Sequence, residues 1–393
     1  MQSFRTYLVE DDQGKKIKHL THIEDRPLQT GEHGLKHSLA SLQKAHQHIK
    51  SGTHSSQLTT KYDGSPAVIY GYHPHNGRFF VASKSAFNKK PKINYTEADI
   101  ENNHGHAPGL VHKLKAALHH LPKITPPKGV YQGDMMFTHD EVKHDYKKGS
   151  ASFNPNPSGL TYTAHGREAE RVRKAKIGIV THTQYHGGDL HSMVAHHGVD
   201  HQNFKPHEDV FTMDPRHDTR RVHYSDQEQV EFERHLEAAK KAHSEGGKDM
   251  YKATETHQGV GGPLENYINH TVRTGETPST KGFMKHVESK GNEDIEKTKN
   301  KKFQESKKAQ LAHHLRWIEA NKHHYSNLFK MHHHLQKAKN TLVTVLNKHQ
   351  DFEHHHGGTL TNPEGYVHHF AGESDKLIHR HEFSRRNLIG RAR

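Results

Sequence analysis

From Asn292 to His349 the chain runs for 58 residues without one proline or glycine. A segment of that length without a turn residue is helical or it is nothing, and its apolar residues agree. Leu311, Leu315, Ile318, Tyr325, Leu328, Leu335, Leu342 and Leu346 fall near helical spacing. One uncapped helix of such length is uncommon in a globular domain, so two or more long helices packing as a hairpin are expected.

Before about residue 200 the texture is different. A short strand-like piece, Phe4 to Val9, is followed by GLKHSLASLQKAHQHI, where Leu35, Leu39, Leu42, Ala45 and Ile49 predict an amphipathic helix. From Leu58 to Phe87 the signal turns to strands, with PAVIYGY and FFVAS joined through Asn76-Gly77. A helix around Gly109 to Leu121, a strand VYQGDMMF, and strands near Leu160 to Ala164 and in KIGIVTHTQY follow. After about residue 200 strand patterning fades. Ser225 to Glu228 (SDQE) has capping-box spacing and opens a helix to about His243, while GGKDMYKATETHQGVGGP reads as loop. Past the GGT break, EGYVHHF and DKLIHRHEF read as two strands joined by AGES. A strand-rich α+β fold thus resumes after a helical insertion, giving segments 1–200, 201–354 and 355–393.

An apolar content of 30% is low but enough for a core in part of 393 residues. Lys and Arg outnumber Asp and Glu by 57 to 44, a net +13 that attracts polyanions such as nucleic acid or acidic lipid. The 46 histidines titrate near neutrality, so phosphate binding should tighten as pH falls. There is no cysteine, which excludes disulfides, thiolate zinc sites and cysteine nucleophiles. MQSFRTYLVEDDQGKK has no apolar signal region and no segment reaches the ~20 apolar residues of a membrane span. The expectation is a soluble, cytoplasmic protein with no membrane partner.

TTKYDGSPAVIYG, residues 59 to 71, places Lys61 two positions ahead of Asp63-Gly64 at the start of the predicted hairpin. A lysine that attacks phosphorus must do so as the neutral amine. It needs neighbouring cations or burial to lower its pKa, carboxylates to hold a divalent metal at the phosphates, and a slot for the base. KYDG resembles motif I, K-x-D-G, of the covalent nucleotidyltransferases, the ATP-dependent DNA and RNA ligases and the mRNA capping enzymes. Further matches follow in the family's order. Lys84 in VASKSAF stands where motif Ia has a basic residue that touches the nucleotide sugar or the nucleic acid. YQGDMMF is similar to motif III, with Asp134 for the ribose hydroxyl or a metal water. KIGIVTHT occupies the place of motif IIIa, PEGYV matches motif IV with Glu364 as metal carboxylate, and DKLIHR resembles motif V, giving Lys376 to the α-phosphate with Arg380 as helper.

The resemblance implies a nucleotidyltransferase (adenylation-domain) fold of antiparallel sheets with flanking helices. It implies an ATP-dependent polynucleotide ligase that joins 5′-phosphate and 3′-hydroxyl ends through a lysyl-AMP intermediate, with ATP and Mg²⁺ or Mn²⁺. Lys61, Asp63 and Lys376 are then catalytic. Lys61, Gly64, Lys84, Asp134, Ile177, Ile179, Glu364 and Lys376 bind the nucleotide, and Glu364 and Asp134 hold the metal. Alternatives are a non-catalytic nucleic-acid-binding protein on the same fold, a DNA ligase, or a guanylyltransferase-type enzyme. Two departures stand out. The family's base-stacking aromatic is replaced by Ile177 and Ile179, so stacking is aliphatic or comes from Tyr185 or elsewhere, and Ile378 takes the place of motif V's second lysine. The chain stops about 17 residues after Lys376, without room for an appended OB-type domain, which favours RNA over DNA as partner.

The insertion is a candidate nucleic-acid clamp, since KTKNKKFQESKK and NKHHYSNLFKMHHHLQKAK set many cations opposite their apolar stripe, although a merely solvated face has the same composition. His332 to His334 and His354 to His356 are read as products of composition rather than a zinc site, because no H-E-x-x-H occurs. No phosphate loop, nucleophile elbow or Rossmann fingerprint is present.

Overall fold

The computed structural model describes residues 20–156 and 159–382, so the strand expected from Phe4 to Val9 lies outside the described residues. It is a mixed α+β structure with several antiparallel sheets. Its described residues form two compact units, one of residues 54–218 and 349–374 and one of 21–53, 219–348 and 375–382. No helix among the described residues is long and apolar enough to cross a membrane.

The first unit is built on strands. Its central sheet runs in the order Val194–His197, Ile177–His186, Val130–Thr138, Ala67–Tyr72 and Phe79–Ala82, all antiparallel, and Val210–Met213 adds in parallel to Ile177–His186. Alternation along these strands loads both faces. One face sends Val68, Tyr70, Val81, Met135, Ile177 and Ile179 into a core with Leu114, Ala117 and Leu121 of helix Pro108–His120 and the turn after it. The opposite face carries Ile69, Phe80, Ala82, Val130 and Tyr185, covered partly by Leu190 and Met193. A second antiparallel sheet has the order Thr359–Thr361, Glu353–His356, Thr161–His165, Ser150–Phe153 and Lys143–Asp145. A third set pairs His54–Thr60 with Tyr366–Phe370 on one side and Arg216–Asp218 on the other.

The second unit is helical. Helix Lys322–Leu346 buries Leu328, Leu335, Leu342 and Leu346 and packs along Asp226–Gly246, whose Ser225 cap and Glu228 form the expected capping box. Lys301–Ala320 packs instead on Thr280–Lys297 and buries only Ile318 of its own residues. The long glycine-free stretch therefore holds the end of Thr280–Lys297 and two further helices, Lys301–Ala320 and Lys322–Leu346, but these two do not form the expected hairpin with each other. A single residue, Asn321, separates them, and a reversal needs a loop of about 2–5 residues. The segment read as loop after Gly246 contains a short helix, Met250–Thr254, and a 3-10 turn, Glu255–His257.

The unit boundaries also differ from the sequence-based ones. Helix Arg26–Ser51, interrupted at Thr30 and Gly31 (φ 62°), packs on Lys322–Leu346 rather than with the strands that follow it. The strand-built unit continues past residue 200, because the short strands Val210–Met213 and Arg216–Asp218 are edge additions with no alternation to announce them.

Ion pairs are buried in the second unit. Lys339 donates to Glu24 at 2.6 Å, both side chains being 0% exposed. Arg380 grips Asp25 with two bonds of 2.9 and 3.0 Å, His332 meets the same carboxylate at 2.8 Å, and Arg380 also donates to Asn269. Asp375 accepts from Arg26 at 2.6 Å and from Ser41 at 2.8 Å, and faces His37 at 2.9 Å. Burial pushes the Glu24 and Asp25 carboxyls up, but Lys339 at the first and Arg380 at the second outweigh it and hold both below the usual range.

Candidate active site

The position of Lys61 follows from one ladder. Strand His54–Thr60 runs antiparallel to Tyr366–Phe370 with Thr60 opposite Tyr366, so the residue leaving the first strand meets the residues entering the second. Lys61 N–H donates to the Gly365 carbonyl at 2.9 Å, and its Nζ donates to Glu364 Oε2. The loop beyond Lys61 is then fixed at both ends of its turn. Tyr62 is buried against Tyr162 and Phe352, and the Asp63 N–H donates to the Tyr162 hydroxyl at 2.9 Å. Ser65 N–H donates to the Met135 carbonyl at 2.9 Å, and Met135 N–H returns a bond to the Pro66 carbonyl at 3.0 Å.

These bonds lay the loop on strand Val130–Thr138 at Asp134, which stands opposite Ala67 on one side and Val180 on the other. The approach is close enough to require glycine at position 64. A Cβ there would lie 2.6 Å from Asp134 Cβ and 3.0 Å from the Met135 carbonyl oxygen. Lys61, Asp63, Asp134 and Glu364 thus share one electrostatic site, assembled from three separate stretches of sequence. Burial would lower the Lys61 pKa, but Glu364, then Asp63 and Asp134, outweigh it and raise the amine above its usual value. With side chains 24% and 14% exposed, Lys61 and Glu364 remain reachable from solvent.

The other predicted residues divide. Lys84 is exposed on a 3-10 turn, Lys84–Phe87, two positions past Ala82. Ala82 opposes Ile69, and Ala67, two positions before it, opposes Asp134, so Lys84 leaves the sheet at the end that bears Asp134. Ile177 and Ile179 must be corrected. Both are 0% exposed in the core on the opposite face of the sheet, where Ile179 pairs with Met135, so neither can line a nucleotide slot. Tyr185 faces the right way but is spent in packing, 3% exposed, with its ring 4.7 Å from Phe87 and its hydroxyl donating to Gln132. Lys376 belongs to the second unit, on strand Glu373–Leu377, in register with His22. Arg380 is not a phosphate helper either, being 3% exposed and committed to Asp25.

One residue at the site was not foreseen. The ladder between Val130–Thr138 and Ile177–His186 slips between Gln132 and Gly133, and the extra residue on the second strand is His182. Its Nε2 lies 3.5 Å from Asp134, while its Nδ1 is 2.8 Å from the Thr183 hydroxyl. A bulge re-aims a side chain without changing the apolar pattern around it, so KIGIVTHTQY offered no signal.

A metal ion at this site would need ligands from outside the protein. Among the described residues no three His, Asp or Glu side chains are grouped to hold one. Glu364 and Asp134 fit the other common arrangement, in which one or two carboxylates hold Mg²⁺ and substrate phosphates and water complete the shell.

A protein-family model described as "Family of unknown function (DUF6267)" matches residues 17–391. The chain belongs to this family. No curated protein and no solved structure matches the DUF6267 chain. The family description assigns no activity, so in this DUF6267 member the charged cluster around Lys61 is the observation from which a function can be argued.

Proposed function

We propose that the protein is an ATP-dependent polynucleotide ligase on a nucleotidyltransferase-type fold, working through an AMP adduct of Lys61. The observation that carries this reading is the meeting of Lys61 with Glu364, in a cluster completed by Asp63 and Asp134. Unlike the fully buried Lys339–Glu24 pair, this lysine is held by a remote carboxylate, acted on by three acids, and still open to solvent, as a nucleophile must be.

In this reading Lys61 first gives up its ammonium proton to solvent, to which it is partly open, as Glu364 turns from the amine. The neutral amine attacks the α-phosphorus of ATP, a P–N bond forms, the bond to the β-phosphate oxygen breaks, and pyrophosphate leaves. AMP then passes from Lys61 to a 5′-phosphate end, and a 3′-hydroxyl displaces it. Bound by Glu364 and Asp134, Mg²⁺ would neutralise the carboxylates and the developing phosphate charge. Asp63 and Gly64 set the loop that presents the amine, and His182 stands 3.5 Å from Asp134.

The test is to incubate the protein with ATP or GTP labelled at the α-phosphate, with Mg²⁺ or Mn²⁺, and to separate it by denaturing electrophoresis. An acid-labile adduct with ATP that disappears in Lys61→Ala is expected, followed by sealing of 5′-phosphorylated RNA or DNA ends. Absence of label from the wild-type protein, or label persisting in Lys61→Ala, overturns the proposal.

A further inference from the structure

The second unit contains a cleft that shares no residue with the Lys61 cluster. Helices Pro263–Thr274, Thr280–Lys297 and Lys301–Ala320 enclose a cavity of about 550 Å³, within the range of small-molecule sites. Each helix contributes one cation to its wall, Arg273, Lys290 and Lys307 in turn, against one lining carboxylate, Asp294.

Two of these cations are only loosely engaged. Lys290 pairs with Glu293 at 2.9 Å and Lys307 with Asp294 at 2.6 Å, and all four side chains are substantially exposed. Such surface pairs contribute little, so an incoming phosphate can replace the carboxylates at small cost. Arg273 has no ion-pair or hydrogen-bond partner among the described residues, and its planar guanidinium suits a phosphate held by two bonds.

Beside the cations the wall is apolar. Val287 and Leu311 line it, and Gly291 lets the third helix come close, since a Cβ at that position would lie 2.6 Å from Leu311 Cδ1. His286 and His314 add imidazole rings to the lining. Three cations next to an aliphatic and imidazole surface are the complement of a phosphate joined to a flat ring. We infer that this cleft binds a nucleoside 5′-phosphate, with Arg273, Lys290 and Lys307 on the phosphate and Leu311 and Val287 against the base. The ligand is either a free nucleotide or the 5′-terminal nucleotide of a strand, and the site goes beyond the ligase proposal without requiring it.

The experiment uses the full chain carrying Lys61→Ala, so that no covalent transfer can contribute. Its single tryptophan, Trp317, follows His314 by three residues on the same helix and reports on this region by fluorescence, with calorimetry as the second readout. AMP, adenosine, inorganic phosphate and a short oligonucleotide with either a 5′-phosphate or a 5′-hydroxyl are titrated. Saturable AMP binding is expected, weakened about tenfold or more in adenosine and by Arg273→Gln or Lys290→Gln, and unchanged by Lys281→Gln outside the cleft. Competition by the 5′-phosphorylated oligonucleotide assigns the site to strand ends, and competition by mononucleotides alone assigns it to a free nucleotide. Equal affinity for AMP and adenosine, no saturable binding, or an unchanged AMP affinity when Arg273, Lys290 and Lys307 are all glutamine overturns the inference. Because both readouts use a chain that cannot form an adduct, failure here leaves the labelling test untouched, and the reverse holds too.

Discussion

Lys61 and Glu364 stand 303 positions apart in the sequence and form an ion pair where two antiparallel strands release them side by side. That pairing gives the amine an elevated pKa, opposite to what a nucleophile needs, so its reactivity depends on what happens to the carboxylates. A ligand or metal that occupies Glu364 frees the amine. The same contact therefore stores Lys61 in an unreactive form.

Removing the negative charge exposes this directly. Glu364→Gln is expected to move the modification of Lys61 by an amine-selective acylating reagent to lower pH, read by peptide mass spectrometry across a pH series. The sign follows from the raised pKa, to which Glu364 is the largest favourable contributor. An unchanged profile would mean that the pair has no hold on the amine.

Gly64→Ala tests the close approach of the loop to Asp134. The new methyl group meets backbone as well as side chain, so it cannot be relieved by a rotamer change, and overpacking of this kind costs about 1–3 kcal/mol. Loss of the ATP adduct is expected at a stability, measured by urea denaturation, that still leaves the protein folded. Full labelling of the variant would show that the loop position is not needed.

Ile179→Ala separates core from site. With Ile179 fully buried against helix Pro108–His120, truncation should cost about 2–5 kcal/mol in denaturant unfolding and leave any preference between ATP and GTP unchanged. A change of base preference would restore Ile179 to the nucleotide slot.

In the helical unit, Lys339→Met leaves buried Glu24 with only the Arg380 guanidinium 3.9 Å away, and a loss of about 3–5 kcal/mol is expected in urea or guanidinium unfolding. Adding Glu24→Gln should return part of it. If the single substitution is neutral, the pair is not the closed, dry contact described above.

Acid should unfold the protein in two stages. Burial holds His257, His333 and His354 down to about 4, against 6.5 when exposed, so the folded state refuses protons that the unfolded chain accepts. Their contribution is complete above pH 6.5 and drains away as pH falls toward 4. Glu24, Asp25 and Asp375 are held below their usual values, so their contribution is complete above about 4.5 and is lost only further down, through the folded values. The denaturation midpoint should accordingly decline from pH 6.5 to 4 and then fall again. A midpoint that stays level between pH 7 and 4.5 would contradict the first stage.

What the sequence revealed, and what it hid, follow from the range of the interactions involved. The hairpin strands, helix Pro108–His120 and the capping box at Ser225 are set by periods and turns within a few residues, and they were readable as such. Lys61, Asp63, Asp134 and Glu364 were each marked by a short local pattern, although their meeting required the pairing of strands far apart in sequence. Ile177 and Ile179 were misplaced because alternation tells which residues share a face, not which face looks at a cleft. Helix Arg26–Ser51 was assigned to the wrong unit because sequence adjacency was the only guide, while its packing partner lies near residue 330. His182 was missed because a bulge leaves no trace in hydropathy.

The antiparallel register of His54–Thr60 with Tyr366–Phe370 also has a temporal consequence. During synthesis the lysine emerges some three hundred residues before its acidic companion. Until the ribosome has delivered that second strand, a nascent or prematurely terminated polypeptide carries the amine with no partner to bind or restrain it. Whatever chemistry the cluster performs is therefore confined to molecules translated at least through Tyr366–Phe370.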